Sequence, residues 1–538
     1  MPVRKSVNLF ILTAVGVVLA WWWLGAPVSM PPSPLAAGQK LHCVSYAPFH
    51  GTQTPLDPAT RIPPAQIEAD LAQLAGMTDC IRTYSVHLGL DHVPQAARKY
   101  GLGVMLGLWL SSHPDRNEFQ ISRGIELARQ FPDVIRAVVV GNEALLRGEI
   151  SPSALAEILR RVRAQVDRPV TYADVWEFWL RYRDLGSAVD FVTIHILPYW
   201  EDDPIPAERA ADHVASIRRR VAAEFPGKEI MIGETGWPSA GRMREGALPS
   251  PVNQARVLHD VLARAKRDDF QVNVIEAYDQ PWKRYLEGTV GGHWGLLDDA
   301  KRSAKFRWGE PVSNHPHWPW QALAGVALAG LVFAAAWRAQ RLRAAVSPPA
   351  EPNPYTIGVM AFSGGVLVGW SFENALLESF GSGGQLRSAA LLTLAIGSPL
   401  LCAAAVGANV SLPSFDRVLA APRDRVRDPL RLALGLMQIL GCLLAVQSAL
   451  VLVFDPRYRD FAYAPLTAAA IPFLLLRFRA GPPNGSRAPA ETVAAVVLVA
   501  CAAFIVVNET FANWQALWHS AALLALALSL VRARAGQD

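Results

Sequence analysis

The sequence predicts an α/β fold in two parts: a (β/α)8 TIM barrel followed by an all-α polytopic transmembrane domain, with a transmembrane anchor before the barrel. Short β-rich runs alternate with amphipathic helical stretches between residues 42 and 310. After Trp318, long blocks of Ala, Leu and Val are separated by short Arg-rich stretches. A further apolar run follows Arg4 and Lys5. The predicted domains are the anchor with its linker (1–39), the barrel (40–315) and about seven membrane helices (316–538).

The first predicted membrane span is Val7–Leu24, which is apolar, follows two basic residues and ends in three tryptophans. A secretory signal peptide has the same charged start and apolar core. The run has no clear small-x-small cleavage site at its edge, which favours a retained anchor.

Eight runs are predicted as strands: His42–Ala47, Cys80–Tyr84, Gly103–Leu108, Ile135–Val140, Pro169–Ala173, Asp190–Ile196, Glu229–Gly233 and Val272–Ala277. The helical stretches between them provide the long crossovers that parallel pairing requires. About 270 residues in such units match a TIM barrel in size. A doubly wound open sheet is the alternative, but no Gly-rich phosphate loop follows the first run.

Two helix starts are marked by a serine before a proline, at Ser151-Pro152 and Ser250-Pro251. Serine caps the first turn, and proline is favoured at the first helical position. Core-facing stripes at helical spacing follow the first strand and Pro152. Their members are Ile67, Leu71 and Leu74, then Leu155, Ile158, Leu159, Val162 and Val166.

Seven later spans are predicted near Trp320–Trp337, Tyr355–Phe372, Ala389–Val410, Leu432–Phe454, Phe461–Leu476, Thr492–Val507 and Trp514–Val531. With eight spans in all, the Arg-rich loops and both termini fall on one side, which the positive-inside rule makes cytoplasmic. The barrel would then lie outside the cytoplasm. The net charge of +5 reflects those loops and requires no nucleic acid.

Of the five cysteines, only Cys43 and Cys80 lie in the predicted exported domain, where a disulfide is permitted. Two buried thiols are the alternative, and it is slightly favoured. No Cys/His spacing predicts a metal site, and no motif predicts a cofactor.

Two carboxylates stand where apolar strands end. Glu143 follows Val138–Asn142, and Glu234 follows Ile230–Gly233. The carboxyl ends of barrel strands line the rim that carries active sites. Two carboxyl groups about 5–5.5 Å apart there can cleave a glycosidic bond with retention. A rim salt bridge explains either residue alone, whereas two such ends beside aromatic residues favour a glycosidase site.

The string GETGWPSAG at Gly233–Gly241 resembles the nucleophile signature of glycoside hydrolase family 17, the β-1,3-glucanase family. VGNE at Val140–Glu143 is similar to its acid/base segment. Further resemblances to the rim motifs of the family occur in matching order at Cys80–Tyr84, Pro198–Tyr199 and Gly292–Leu296. The resemblance covers about residues 40–310.

By this resemblance, Glu234 would be the nucleophile and Glu143 the acid/base. Asn142 would bind the sugar 2-hydroxyl, and Tyr199 would orient the nucleophile. Lys283 would bind sugar hydroxyls or balance charge. The complete set of predicted substrate-binding residues is Tyr84, Asn142, Tyr199, Trp200, Trp237, Asp279, Trp282, Lys283 and Trp294.

Hydrolysis and transglycosylation use the same two carboxylates, so the motifs leave both open. The chain is similar to membrane-bound bacterial members of the family that remodel periplasmic glucans. That similarity implies a transglycosylase acting on β-1,3-glucan with β-1,6 branches, and a membrane glucan synthase as a partner. A β-1,3-glucanase and a non-catalytic glucan-binding or export component are the alternatives. Gln280 stands where plant members have a glutamate, which leaves the linkage preference open.

Overall fold

The computed structural model describes residues 3–344, 353–421, 423, 425–479 and 486–534. The chain divides into two compact units. The barrel unit comprises Val28–Gly241 and Gly246–Val312. The helical unit comprises Met1–Pro27, Arg242–Glu245 and Ser313–Asp538, and its first helix is α1 (Val3–Leu24).

In the barrel unit, eight parallel strands close into a barrel in chain order, with β8 paired to β1. The strands are β1 (Cys43–Ser45), β2 (Cys80–Arg82), β3 (Gly103–Leu108), β4 (Ile135–Asn142), β5 (Val170–Val175), β6 (Val192–His195), β7 (Ile230–Thr235) and β8 (Val272–Val274). Each overlaps one of the predicted runs, so the predicted barrel is confirmed.

The barrel helices are α2 (Pro64–Leu74), α3 (Val93–Tyr100), α4 (Pro114–Gln130), α5 (Pro152–Arg163), α6 (Trp176–Arg181), α7 (Ala207–Glu224), α8 (Pro251–Arg267) and α9 (Arg284–Gly291). The two predicted serine caps are confirmed. Ser151 Oγ accepts from the backbone NH of Ala154 at 3.3 Å, and Ser250 Oγ from that of Asn253 at 3.1 Å. The stripes of α2 and α5 face the core, with Leu71 and Leu159 fully buried.

Two layers of side chains fill the barrel unit. Residues such as Val44, Ile81 and Val138 belong to the large cluster that packs against the helices. Their strand neighbours form a second cluster of Cys43, Cys80, Met105, Ala137, Val139, Ala173 and Met231. Because successive strand residues point to opposite faces, the second cluster fills the barrel interior.

Cys43 and Cys80 form a disulfide between β1 and β2, with their Cα atoms 4.3 Å apart. The expectation of two buried thiols is therefore wrong. The pairing of Val44 with Ile81 brings Cys43 beside Cys80 on the inward face. The strand register thus accounts for the bond, and spacing along the sequence did not reveal it.

The helical unit continues with α10 (Trp318–Ala344), α11 (Pro354–Glu378), α12 (Gly381–Ala408), α13 (Phe415–Leu419), α14 (Pro429–Phe454), α15 (Tyr463–Arg479), α16 (Pro489–Glu509) and α17 (Trp514–Val531). Among the residues described, seven helices are long and apolar enough to cross a membrane: α1, α10, α11, α12, α14, α16 and α17. The predicted span at 461–476 corresponds to α15, which is 17 residues long, contains Pro472 and is shorter than all seven.

Small residues bring α10 and α11 into close approach. A Cβ placed on Gly325 would lie 2.2 Å from the carbonyl oxygen of Gly365 and 2.8 Å from Val17 of α1. Such contacts are typical of membrane helices, whose association depends on close packing because lipid supplies no hydrophobic driving force between them.

Candidate active site

Glu143 is held at the rim by an unusual backbone. It follows the last residue of β4 and has a φ of 51°, in the left-handed region that residues other than glycine rarely adopt. Its NH donates to the carbonyl oxygen of Ala173 at 2.8 Å, which fixes the turn onto β5. Its side chain is 24% exposed. Strained backbone of this kind is concentrated at functional sites.

Glu234 lies within β7, and its side chain is buried. Its Oε1 accepts from the guanidinium of Arg82 and from the hydroxyl of Tyr84, each at 2.8 Å. Burial favours a raised pKa, but electrostatic interactions with His195 and with the Arg82 guanidinium hold the pKa of Glu234 below its ordinary value. Glu234 is therefore ionised near neutral pH, as a nucleophile must be.

Arg82 ties the two carboxylate-bearing strands together. It is fully buried and donates to Glu234, to the carbonyl oxygen of Gly233 at 2.9 Å and to Oδ1 of Asn142 at 2.5 Å. One guanidinium thus fixes the nucleophile candidate and the amide that precedes Glu143. A planar fork of donors is well suited to this bridging.

His195 lies between the two carboxylates. Its Nδ1 is 2.9 Å from Oε1 of Glu143, and its Nε2 is 3.6 Å from Oε1 of Glu234. One ligand atom from each of the three side chains lies within 4.8 Å of the other two. The β6–β7 ladder pairs His195 with Glu234 after a register shift. Glu143 and Glu234 therefore each have a carboxylate oxygen within 4.8 Å of one that belongs to the other.

Within the described part of the chain, the same three side chains are spaced closely enough to hold a metal ion. Two carboxylates and one imidazole are a ligand set that suits Zn²⁺. The positive charges of Arg82 and Lys283 act on Glu234 and disfavour a cation there. The sequence predicted no metal, and the charge balance of this cluster favours its use as an acid–base site.

Lys283 and Glu276 form a second charged pair near the nucleophile candidate. Nζ of Lys283 lies 2.7 Å from Oε1 of Glu276, which is almost fully buried after β8. Burial raises the pKa of Glu276 to about 7, against the opposing effect of the Lys283 charge. The charge of Lys283 also helps to lower the pKa of Glu234.

Residues 43–295 match the family described as the BtgE/BtgC glycoside hydrolase domain. This part of the chain is therefore similar to a glycoside hydrolase domain. The match confirms the glycosidase resemblance that the sequence motifs indicated, and it spans every strand of the barrel.

Two relatives are similar to this domain over part of their length. A probable beta-glucosidase btgE of Neosartorya fischeri is 27% identical over 225 residues, which are 40% of this chain and 40% of that protein. A glucan 1,3-beta-glucosidase of Arthroderma benhamiae is 26% identical over 264 residues, 45% of this chain and 83% of that protein. The chain thus spans about two fifths of the btgE relative.

Among solved structures, a glycoside hydrolase family 17 beta-1,3-glucanosyltransferase from Rhizomucor miehei is 25% identical. The match covers 49% of this chain and 95% of that chain, with a TM-score of 0.44.

Seven of the nine predicted substrate-binding residues of the barrel domain fall into two groups. Tyr84, Asn142 and Lys283 lie beside the carboxylates through the contacts above. The structure places Tyr199, Trp237 and Trp294 in a buried aromatic cluster with the half-buried Trp200. The Trp200 and Trp294 rings are stacked 6.5 Å apart. Packing accounts for the three buried rings, and sugar stacking by this group remains a prediction.

Asp279 and Trp282 are also engaged inside the domain. Asp279 is buried, and its Oδ1 accepts from Nζ of Lys305 at 2.6 Å and from the NH of Gly295 at 2.9 Å. Burial favours a raised pKa for Asp279, but the Lys305 charge holds it below the ordinary value. Trp282 donates to Oε1 of Gln280 at 2.8 Å. A role for Asp279 and Trp282 in substrate binding stays a prediction.

Three residues of the site were not among the predicted site residues: Arg82, His195 and Glu276. All three are buried polar residues at the carboxyl ends of β2, β6 and β8. The rule that barrel chemistry lies at those ends applies to them equally. The predicted strand Asp190–Ile196 enclosed His195, whereas Tyr199 lay beyond the end of that strand.

Proposed function

We propose that the chain is a membrane-anchored retaining transglycosylase that acts on β-1,3-glucan outside the cytoplasm. The observation that carries this proposal is the convergence of Glu143 and Glu234, with ligand atoms within 4.8 Å of each other, at one rim of the barrel. Retaining glycosidases place their carboxyl groups about 5–5.5 Å apart, closer than inverting enzymes do.

In the first step, the ionised Glu234 attacks the anomeric carbon and forms an ester, while Glu143 donates its proton to the departing oxygen. In the second step, Glu143 removes a proton from an acceptor hydroxyl, which attacks the ester and releases Glu234. Water as acceptor gives hydrolysis, and a sugar hydroxyl gives transfer. Asn142 and Tyr84 border this reaction centre, and Lys283 adds positive charge to it.

The choice of substrate rests on the relatives. The relative from Arthroderma benhamiae is described as a glucan 1,3-beta-glucosidase, and the Rhizomucor miehei structure as a beta-1,3-glucanosyltransferase. Transfer is preferred over hydrolysis because a degradative enzyme has no evident need for the extensive helical unit. A hydrolase is the second candidate. The site groups in place around Glu234 argue against a purely glucan-binding component.

Localisation follows from the helical unit. Seven apolar helices of membrane-spanning length support a membrane protein. If α15 also crosses, the eight spans place both termini and the Arg-rich loops in the cytoplasm, and the barrel domain of residues 40–315 in the periplasm of a bacterium. The membrane domain of residues 316–538 would then be available to contact a glucan synthase.

Product analysis tests the proposal. The full chain in detergent is incubated with a β-1,3-gluco-oligosaccharide, and the products are resolved by mass and linkage. Longer or branched products are expected. Products that are only shorter would establish hydrolysis instead. No product, from a chain that still binds the oligosaccharide, would favour the binding role. A Glu234→Gln variant of similar size serves as the inactive control.

A further inference from the structure

We propose that His195 is a positioning residue that orients the carboxyl group of Glu143 for proton transfer and separates it from Glu234. The proposal rests on the proposed function, since it assigns Glu143 the acid/base role. Its basis is a buried imidazole whose two nitrogens face the two carboxylates, at 2.9 Å and 3.6 Å.

The contacts of Glu143 make it dependent on this imidazole. Within the described part of the chain, His195 is the side chain that hydrogen-bonds the Glu143 carboxylate. Glu143 is partly exposed on a rim turn, where a glutamate side chain would otherwise sample several rotamers. Catalytic proton transfer requires a carboxyl oxygen held within hydrogen-bond reach of the glycosidic oxygen. The Nδ1 contact supplies that restraint.

The imidazole is itself held in place by the backbone. The NH of Ile196 donates to the carbonyl oxygen of Glu234 at 2.9 Å, which locks the end of β6 onto β7. A Cβ on Gly233 would lie 3.2 Å and 3.3 Å from ring atoms of His195 and 2.4 Å from Thr193. Glycine at this position therefore leaves the space that the ring and its neighbour fill.

Charged groups face His195 from each neighbouring strand. Glu143 approaches from the end of β4, Asp174 from β5 and Glu234 from β7. Arg82 lies beyond Glu234, on β2. During the proposed reaction, negative charge passes from Glu234 to Glu143 as the ester forms. An imidazole between them can donate to Glu143 when it becomes a carboxylate, so that the charge does not face the rim unpaired.

The two ring nitrogens of His195 face the two carboxylates, and His195 acts through Glu143, so its loss should resemble weakened acid catalysis. Leaving groups that need protonation reveal this defect, whereas a good leaving group departs without it. We expect His195→Ala to lower kcat/KM for a methyl β-laminaribioside about 100-fold, within the range of general acid catalysis. For a 2,4-dinitrophenyl β-laminaribioside the expected loss is about threefold or less, with KM little changed.

The full chain in detergent is assayed on both substrates over a range of pH. His195→Asn, which retains a side-chain NH donor, should recover part of the loss and keeps the test valid if the alanine variant folds poorly. His259→Ala is the matched control, because His259 is also buried in the barrel unit but pairs with the backbone of Ala255 and Gly309. It should leave the ratio of the two substrates unchanged.

The Glu143→Ala variant separates the two hypotheses. If it loses activity equally on both substrates, the acid/base role of Glu143 fails, and the proposed function fails with it. If Glu143→Ala discriminates between the substrates but both His195 variants keep the wild-type ratio, only the role of His195 is overturned. The inference is supported if both His195→Ala and Glu143→Ala lose more activity on the methyl substrate than on the dinitrophenyl substrate, and if the basic limb of the pH–rate profile changes.

Discussion

Replacing Arg82 by methionine should both destabilise the barrel and impair Glu234, the proposed nucleophile. Arg82 is fully buried and donates to three acceptors, of which the Glu234 carboxylate is charged. Removing one member of a buried ion pair leaves the other charge uncompensated, at a cost of about 3–5 kcal/mol of unfolding free energy. Methionine has a similar length and fills the space without donating a hydrogen bond.

The pH dependence of this variant has a defined sign. The folded state lowers the pKa of Glu234, so the stabilisation from its ionised form is present above the ordinary glutamate pKa and is lost as pH falls through the folded value. Without the positive charge of Arg82, the effect of burial on Glu234 is opposed less strongly, so the pKa of Glu234 should rise. The acid limb of kcat/KM should therefore move to higher pH in Arg82→Met.

The assay is urea unfolding of the full chain in detergent, followed by tryptophan fluorescence, together with a pH–rate profile. Arg98→Met is the matched control, since Arg98 pairs with Asp133 at 2.5 Å but both side chains are about half exposed. Exposed pairs contribute about 0–1 kcal/mol. Equal destabilisation by the two substitutions, or an unmoved acid limb in Arg82→Met, would refute the assigned role of Arg82.

Three further predictions concern packing and covalent structure. Gly233→Ala should destabilise the barrel unit by about 1–3 kcal/mol in the urea assay and reduce activity, because the new Cβ would overlap Thr193. Gly76→Ala is the control and should be nearly neutral in the same assay, because the nearest atom to its Cβ lies 3.5 Å away. Thiol titration of the denatured chain should detect three thiols before reduction, because three cysteines are free, and five thiols after reduction. Five thiols before reduction would show that the β1–β2 disulfide is absent. Gly325→Ala should lower the thermal midpoint of the helical unit, because its Cβ would overlap the carbonyl oxygen of Gly365. Gly358→Ala should leave the thermal midpoint unchanged, because there is open space around Gly358. Equal midpoints for the two variants would contradict the close packing of Gly325 against Gly365.

The barrel was predictable because its strands are short apolar runs with regular spacing, and because helix starts such as Ser151 and Ser250 carry local signals. The two carboxylates were predictable because each directly ends such a run. The roles of the tryptophans were not, since a ring that packs in a core and a ring that stacks on a sugar have the same sequence signal. Trp237 illustrates this, because it is fully buried and its indole NH donates to the carbonyl oxygen of Leu248.

Contacts between strands that are far apart along the chain could not be predicted from the sequence either. Arg82 bridges β2 to β7 and β4, and its partners are visible only once the barrel closes. The disulfide of Cys43 depends in the same way on the register of β1 with β2. In the helical unit, hydropathy located the spans, but the short α15 with its internal Pro472 shows where a hydropathy rule is weakest.

In the proposed mechanism, Glu234 forms a covalent bond to the sugar, and Glu143 donates and then accepts the proton. The most direct test is to incubate the full chain in detergent with a 2,4-dinitrophenyl 2-deoxy-2-fluoro-β-laminaribioside, which slows ester breakdown, and to locate the added mass by peptide sequencing. The label is expected on Glu234, and Glu234→Gln should remain unlabelled. A label on another residue, or turnover of the unfluorinated substrate with inverted anomeric configuration, would contradict the account.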